Sequence, residues 1–234
     1  AIYDKKKLTH NELESLILDI KQGNIKGINV TVPFKNAIIP YLDELSDEVQ
    51  KTQSVNTVYL KDKKTIGHNT DIEGFENAIK KINYDFKNKK IFILGAGGVV
   101  PSIIYASMKM APSEIILCNR TEKKAEQVKN IFNNIKVIKW GEIPEFDVII
   151  NATSVGLKQD DKINLDFTKA GKNKLFYDVI YNPSETNFLN TGKKLGNKSE
   201  NGKLMFIYQA LSSFKLWHGK EPKINNETIK LLDQ

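Results

Sequence analysis

The chain has 234 residues, 40% of them hydrophobic and 27% charged, with 35 Lys plus Arg against 28 Asp plus Glu for a net charge of +7. This composition suits a soluble globular protein of one large or two modest domains; no apolar stretch approaches the ~20 residues of a membrane span, and the lone Cys118 excludes an internal disulfide. The lysines are dispersed and no aromatic-basic recognition module accompanies them, so neither a nucleic-acid nor a membrane partner is expected, and the expected compartment is the cytoplasm.

Leu13, Leu16, Ile17 and Ile20 recur at helical spacing over residues 10–21, with Thr9 as the cap and Glu12 as its capping-box partner. Gly23-Asn24 stops that helix. Residues 27–32 read as a strand ended by Pro33, and residues 36–52 as helical with a break near Pro40. Residues 55–60 and 64–67 read as a hairpin around Asp62, and 71–82 as a further helix. A link rich in lysine and asparagine, 83–90, marks the first domain boundary. Beyond it, strands expected at 91–94, 114–118, 135–139, 146–151 and 174–179 alternate with helices near 99–110, 122–132, 166–171 and 185–194. That alternation predicts an α/β fold, a Rossmann-type doubly wound parallel sheet, joined to a second α/β domain. An amphipathic helix at 204–217 follows Gly202, and Ile229-Lys230-Leu231-Leu232 closes the chain. The dinucleotide-binding domain is expected over 84–203, and the second domain over 1–83 plus 204–234. Two domains joined in this way tend to open and close around a cleft.

The apolar run Ile91-Phe92-Ile93-Leu94 leads into Gly95-Ala96-Gly97-Gly98-Val99. A glycine turn between a strand and a helix lets backbone approach a pyrophosphate at the positive helix N-terminus. The pattern here is G-x-G-x-x-V, with Val100 in place of the usual third Gly or Ala, which should set helix and strand slightly farther apart. The next apolar run, Ile115-Ile116-Leu117-Cys118, ends in Asn119-Arg120-Thr121. An acidic residue at this place binds a ribose 2′-hydroxyl, whereas an arginine accommodates a 2′-phosphate. Arg120 is the only arginine in a chain that otherwise uses lysine, which favours a planar bidentate phosphate donor and hence NADP(H). Lys124 would add charge beside the same phosphate, although a solvated helix lysine is nearly as good a reading. Cys118 reads as a small core residue rather than a nucleophile.

Three polar clusters fall at strand ends: Thr31-Val32-Pro33-Phe34-Lys35, Val55-Asn56-Thr57 and Asn69-Thr70-Asp71. Strand ends converge on clefts, and a lysine beside an aspartate in a partly dry cleft can hold a substrate hydroxyl and pass a proton. Taken singly, each residue reads more simply as a surface lysine, a turn asparagine or a capping aspartate. No His or Cys cluster has metal-ligand spacing, so no metal is expected, and the Gly-x-Ser-x-Gly nucleophile elbow is absent.

Together these segments resemble the shikimate dehydrogenase family. Thr31-Val32-Pro33-Phe34-Lys35, Val55-Asn56-Thr57 and the stretch from Gly67 through Asn69-Thr70-Asp71 to Gly74 look like its substrate-domain motifs. Gly95 to Gly98 and Asn119-Arg120-Thr121 look like its cofactor turn and NADP-selecting loop. Asn151-Ala152-Thr153-Ser154-Val155-Gly156 is similar to its segment near the nicotinamide; Tyr177-Asp178-Val179-Ile180-Tyr181-Asn182-Pro183 and the stretch from Gly202 to Gln209 also match. The resemblance covers nearly the whole chain in the right order. It implies reduction of 3-dehydroshikimate to shikimate with NADPH, a small-molecule reaction of aromatic amino-acid biosynthesis. By position, Lys35 and Asp71 would be the proton-handling pair. Thr31, Asn56, Asp71, Tyr181 and Gln209 would hold substrate; Thr153, Ser154, Val179 and Gly202 would line the nicotinamide pocket.

Family members open with a strand and helix carrying a Ser-x-Ser motif that binds the substrate carboxylate, and Ala1 falls just after that region. A longer native chain is therefore expected. The fold and the lysine–aspartate pair also serve quinate/shikimate dehydrogenases, but Arg120 argues for NADP where a quinate enzyme would more often use NAD. A non-catalytic NADP-binding remnant is the reading from another class, and the retained Lys35 and Asp71 speak against it. A monomer or a homodimer is expected.

Overall fold

The computed structural model describes residues 2–158, 160–230 and 232; Leu231, in the closing apolar run, lies outside them. After an extended start, a single 3-10 turn at His10–Glu12 leads into α1 (Leu13–Lys21). The capping box forms as expected, with Thr9 N donating to Glu12 Oε2 at 2.7 Å. Leu13, Leu16, Ile17 and Ile20 of α1 are all buried, each a contribution of roughly 1.5–3 kcal/mol relative to exposure, while Leu18 faces outward.

The strand expected over 27–32 is shorter: β1 spans Gly27–Asn29, and beyond it Val30 N alone continues the pairing, to Asn56 O at 2.8 Å. The single broken helix expected over 36–52 becomes α2 (Phe34–Ala37), a 3-10 turn with Pro40 inside it, β2 (Glu44–Leu45) and α3 (Asp47–Thr52). Side-chain chemistry overrides helical periodicity here. Asp43 Oδ2 accepts from Thr65 N and Thr65 Oγ1 at 2.8 and 2.7 Å, which draws the chain onto a neighbouring strand, and Ser46 Oγ then caps α3 through Val49 N. The hairpin forms as β3 (Thr57–Lys61) and β4 (Lys64–His68), turning on Asp62 and Lys63 at φ 50° and 65°. Two positive φ values fit the right-handed strand twist. The sheet order is β1-β3-β4-β2, with β2 parallel to β4 and the other pairs antiparallel.

α4 (Thr70–Lys81) leads to the second sheet: β5 (Lys90–Leu94), α5 (Val100–Lys109), β6 (Glu114–Cys118), α6 (Glu122–Ile131), β7 (Lys136–Ile138), β8 (Val148–Asn151), β9 (Leu175–Asp178), α7 (Asn187–Lys194) and β10 (Lys198–Glu200). All its pairings are parallel and the order is β10-β9-β8-β5-β6-β7. This is the doubly wound dinucleotide-fold order, with its switch point between β5 and β8. Both faces are covered: Ile91 and Ile93 join one core cluster, Phe92 and Leu94 the other. A strand buried on both faces reads as the continuous apolar run seen in the sequence. Val100 is fully buried in the first of these clusters.

Two expectations for this part fail. No helix forms at 166–171: Asp166 Oδ1 accepts from Thr168 N at 2.9 Å, Ala170 N closes one turn on Phe167 O at 2.9 Å, and Gly171 turns the chain away at φ 81°. The edge strand β10 was not expected, because Lys198-Ser199-Glu200 carries no apolar run.

α8 (Lys203–His218) returns to pack along α4, and α9 (Asn226–Lys230) follows. No described helix is long and apolar enough to cross a membrane. Gly74 makes the α4–α8 contact possible: a Cβ there would lie 2.8 Å from Met205 O and 2.9 Å from Gln209 Cβ. Gly74→Ala should therefore push the helices apart and destabilise the protein by about 1–3 kcal/mol despite the better helix propensity of alanine. Urea unfolding would measure this, and a wild-type midpoint would contradict the packing argument.

Candidate active site

A cleft of about 1640 Å³ runs along the carboxyl ends of β5, β6, β8 and β9 and is closed on its far side by the loops of the smaller sheet and by α8. Every residue expected to bind substrate or cofactor lines it: Thr31, Lys35, Asn56, Asp71, Tyr181 and Gln209 at one end, Gly95 through Val99 in the middle. Asn119, Arg120, Thr121 and Lys124 stand beside β6, with Thr153, Ser154, Val179 and Gly202 opposite.

The middle of the cleft has the shape a dinucleotide phosphate needs. Gly95 sits at φ 109°, and a Cβ there would lie 2.8 Å from Ala152 O, so only glycine fits. At Gly97, by contrast, a Cβ would meet no protein atom nearer than Ala152 O at 3.9 Å. Its missing side chain keeps backbone open to the cleft just before α5, where helix N–H groups favour an anion. Arg120 is exposed at the end of β6, on the side of the turn where the fold holds an adenosine ribose, with Asn119 Nδ2 bonded to Thr121 O at 2.8 Å. These residues fit NADP(H). Cys118, just before them, is buried, and burial pushes its thiol up to about 11, so at neutral pH it is an inert core group.

At the other end, Lys35 Nζ lies 2.5 Å from Asp71 Oδ2, with side chains only 12% and 9% exposed. The lysine comes from α2 and the aspartate from the first turn of α4, so the pair bridges two elements 36 residues apart in sequence. Asn56 fixes the aspartate: its Nδ2 donates to Asp71 Oδ1 and Thr70 Oγ1, each at 2.9 Å, while its Oδ1 accepts from Thr70 N at 2.7 Å. Gln209 Oε1 lies 3.5 Å from the same amide, carried there by the close passage of α8. The lysine stem runs beside the phosphate turn, 3.5 Å from where a Cβ of Gly98 would be. A cation, a carboxylate and amide groups thus meet next to the dinucleotide site, an arrangement able to orient a polyol and to stabilise an oxyanion.

Several supporting residues escaped the sequence reading. Ser213 is buried under the carboxylate site and bonds Thr57 Oγ1 at 2.8 Å and Thr70 Oγ1 at 3.0 Å. Asn69 Nδ2 reaches Ser102 Oγ of α5 at 2.9 Å, and Ser54 Oγ reaches Gly98 O at 3.1 Å, so buried hydrogen bonds stitch the two parts together at the cleft floor. Trp140 walls the cleft near Arg120. Asp178, fully buried at the end of β9, accepts from Thr186 Oγ1 at 2.7 Å and from Asn151 Nδ2 and Ile180 N at 3.0 Å. Of these, Asn69 stands in a strand-end cluster and Asp178 in the segment from Tyr177 to Pro183, neither with an expected role of its own; the others carry no sequence signal.

Comparison with known proteins agrees with this geometry. Residues 1–58 match the shikimate dehydrogenase substrate binding domain, and residues 76–181 match the shikimate / quinate 5-dehydrogenase family. An NADP(+)-dependent shikimate dehydrogenase of Pelagibacter ubique is 56% identical over 233 residues, covering 100% of this chain and 88% of its own. A crystal structure of a shikimate dehydrogenase in complex with NADP+ superposes with a TM-score of 0.84 at 33% identity, covering 96% of this chain and 81% of that one. A quinate dehydrogenase from Corynebacterium glutamicum in complex with NAD gives 0.87 at 27% identity, over 95% and 83%.

Burial raises the Asp178 carboxyl to about 6, against the hydrogen bonds that favour its ionised form. A carboxyl raised in the fold stabilises the protein most below about pH 4, and that stability is lost as pH rises through about 6. Asp178→Asn should remove this slope and raise stability at pH 7 by about 2–3 kcal/mol. Unfolding curves at pH 4.5 and 7 would check it, and an unchanged pH dependence would count against an ionising buried acid.

Proposed function

This chain belongs to the shikimate dehydrogenase family, and from that premise we propose that it reduces 3-dehydroshikimate to shikimate with NADPH, a step of chorismate and aromatic amino-acid biosynthesis. The observation that carries the reading is the Lys35–Asp71 pair, 2.5 Å apart in the same cleft as the dinucleotide turn. Gly95 to Val99 hold the pyrophosphate, Arg120 with Asn119, Thr121 and Lys124 holds the 2′-phosphate, and Thr153, Ser154, Val179 and Gly202 line the nicotinamide end. Bound NADPH supplies the hydride. The protein's task is to orient the ketone and to meet the charge that grows on its oxygen. Lys35 does this with a positive charge at the alkoxide and a proton within reach; Asp71 holds the lysine in place and accepts from a ring hydroxyl. Asn56, Thr31, Tyr181 and Gln209 bind the remaining hydroxyls and the carboxylate region.

The chain is read as two domains, 84–203 for the cofactor and 1–83 plus 204–234 for the substrate. The two sheets, which fall on either side of residue 83, support this, as does α8 lying along α4. It is read as a cytoplasmic monomer or homodimer acting on a small molecule, with no nucleic-acid partner. The similarity to a quinate dehydrogenase keeps quinate as the competing substrate; Arg120, a donor suited to a 2′-phosphate, favours the NADP-dependent shikimate reading.

Nicotinamide absorbance with shikimate or quinate, each with NADP+ or NAD+, tests the assignment. Shikimate with NADP+ should give the highest kcat/KM, and a preference for quinate with NAD+ would overturn it. Arg120→Ala should narrow the NADP+ over NAD+ preference by about tenfold or more, the worth of one charge-assisted phosphate contact; an unchanged ratio would show that another residue selects the cofactor.

A further inference from the structure

Asp178 is a buried carboxylate whose hydrogen-bond donors are all neutral: Thr186 Oγ1, Asn151 Nδ2 and Ile180 N. A charge there is costly, and the two oxygens have separate partners. Oδ2 faces α7, taking the hydroxyl proton of Thr186, which caps that helix through Leu189 N. Oδ1 faces the cleft wall and takes the other two donors.

From Oδ1 a chain of hydrogen bonds leads to the cofactor site. Asn151 Nδ2 donates to Asp178 Oδ1 at 3.0 Å and to Val155 O at 3.1 Å, while Asn151 Oδ1 accepts from Thr153 N at 3.1 Å and Thr153 Oγ1 at 2.7 Å. Thr153 Oγ1 in turn accepts from Val155 N at 3.0 Å. A carboxylate oxygen only accepts, so the Asn151 amide must turn its NH2 toward Asp178 and its carbonyl toward Thr153. The orientation of one side-chain amide, sorted by Asp178, thus sets the loop after β8. Ala152 O of that loop packs against Gly95, and Ile180, whose N–H is the third donor, accepts from Gly202 N at 3.1 Å. In this sheet order the β6 side of the turn takes the adenosine half, so the loops after β8 and β9 face the nicotinamide half.

We propose that Asp178 is a positioning residue: through Oδ1 it orients Asn151 and holds the loops after β8 and β9 in the register that receives the nicotinamide end of the cofactor. This deepens the proposed function and rests on it. Asp178→Asn keeps an acceptor at Oδ1, because the fixed Ile180 N–H holds the amide carbonyl there, and its NH2 can donate to Thr186 Oγ1. Asp178→Leu removes the acceptor altogether. Thr186→Val removes only the Oδ2 bond. Thr153→Val cuts the same chain of bonds at a half-buried site, and so keeps the test open should Asp178→Leu fail to fold.

The test measures calorimetric affinity of the full chain for NADP+ and for 2′,5′-ADP, which lacks the nicotinamide half, together with kcat. Asp178→Asn and Thr186→Val should stay within about threefold of wild type in kcat and NADP+ affinity. Asp178→Leu should lose about thirtyfold or more in kcat, the scale of an ångström-sized misplacement of reacting groups, with Thr153→Val losing in the same direction. Both should weaken NADP+ by about tenfold and 2′,5′-ADP by less than about twofold. Wild-type values for Asp178→Leu or Thr153→Val would overturn the proposal. So would equal weakening of both ligands, the mark of a merely structural role, or a loss in Asp178→Asn as deep as in Asp178→Leu. A wild-type protein that binds NADP+ but leaves 3-dehydroshikimate unreduced would sink the functional reading instead, while the two-ligand binding comparison would still decide the role of Asp178.

Discussion

The contact between Lys35 and Asp71 is the constraint around which the rest of the molecule is arranged. Two nearly buried opposite charges repay their desolvation only when geometry is good and the remaining lone pairs are satisfied. Asn56 satisfies the second carboxylate oxygen, Thr70 fixes Asn56, and Ser213 on α8 ties Thr57 and Thr70 beneath them. That layer exists because α8 comes back to the first part of the chain and lies close on α4, which Gly74 permits. The last long helix therefore helps to hold this pair, although it lies more than 130 residues from Asp71 in sequence.

The second requirement is that this pair face a dinucleotide at fixed distance. The parallel sheet supplies the switch-point crevice, Gly95 a tight turn against Ala152, and the backbone at Gly97 an open surface suited to a phosphate. Hydrogen bonds from Asn69 to Ser102 and from Ser54 to Gly98 O join the two sheets' elements at the cleft floor. On the opposite wall, a single buried acid organises two loops. Both solutions use hydrogen bonds with unique donors and acceptors, which specify a geometry in a way apolar packing alone does not.

Much of this was legible in the sequence because the physics is local. The run Ile91 to Leu94 reads as a strand, and the glycines after it, between that strand and a helix, read as a close-approach turn. The residues proposed for the site were picked out through their place at strand ends and through family resemblance, not singly: nothing in Lys35 itself says that it meets Asp71. What failed was decided by contacts distant in sequence or by single side chains. The segment 36–52 has helical periodicity, but Asp43 pairs with Thr65 and pulls it into a strand. Residues 166–171 stand where the alternation of strand and helix calls for a helix, but an aspartate turn and a left-handed Gly171 end it after one turn. β10 is polar and is a strand only because β9 offers it an edge. Ser213 and Ser102 read as ordinary helix serines until the partner element is in place.

The central claim is that Lys35 and Asp71 act as one unit in proton handling. The measurement that tests it most directly is a double-mutant cycle on kcat for 3-dehydroshikimate reduction, with Lys35→Met, Asp71→Asn and the double variant, NADP+ affinity being checked in each. Groups that act as a unit are strongly non-additive. The account predicts that the double variant loses little more than the worse single variant while cofactor affinity stays near that of the wild type. Losses that multiply, as for two independent contributors, would contradict it.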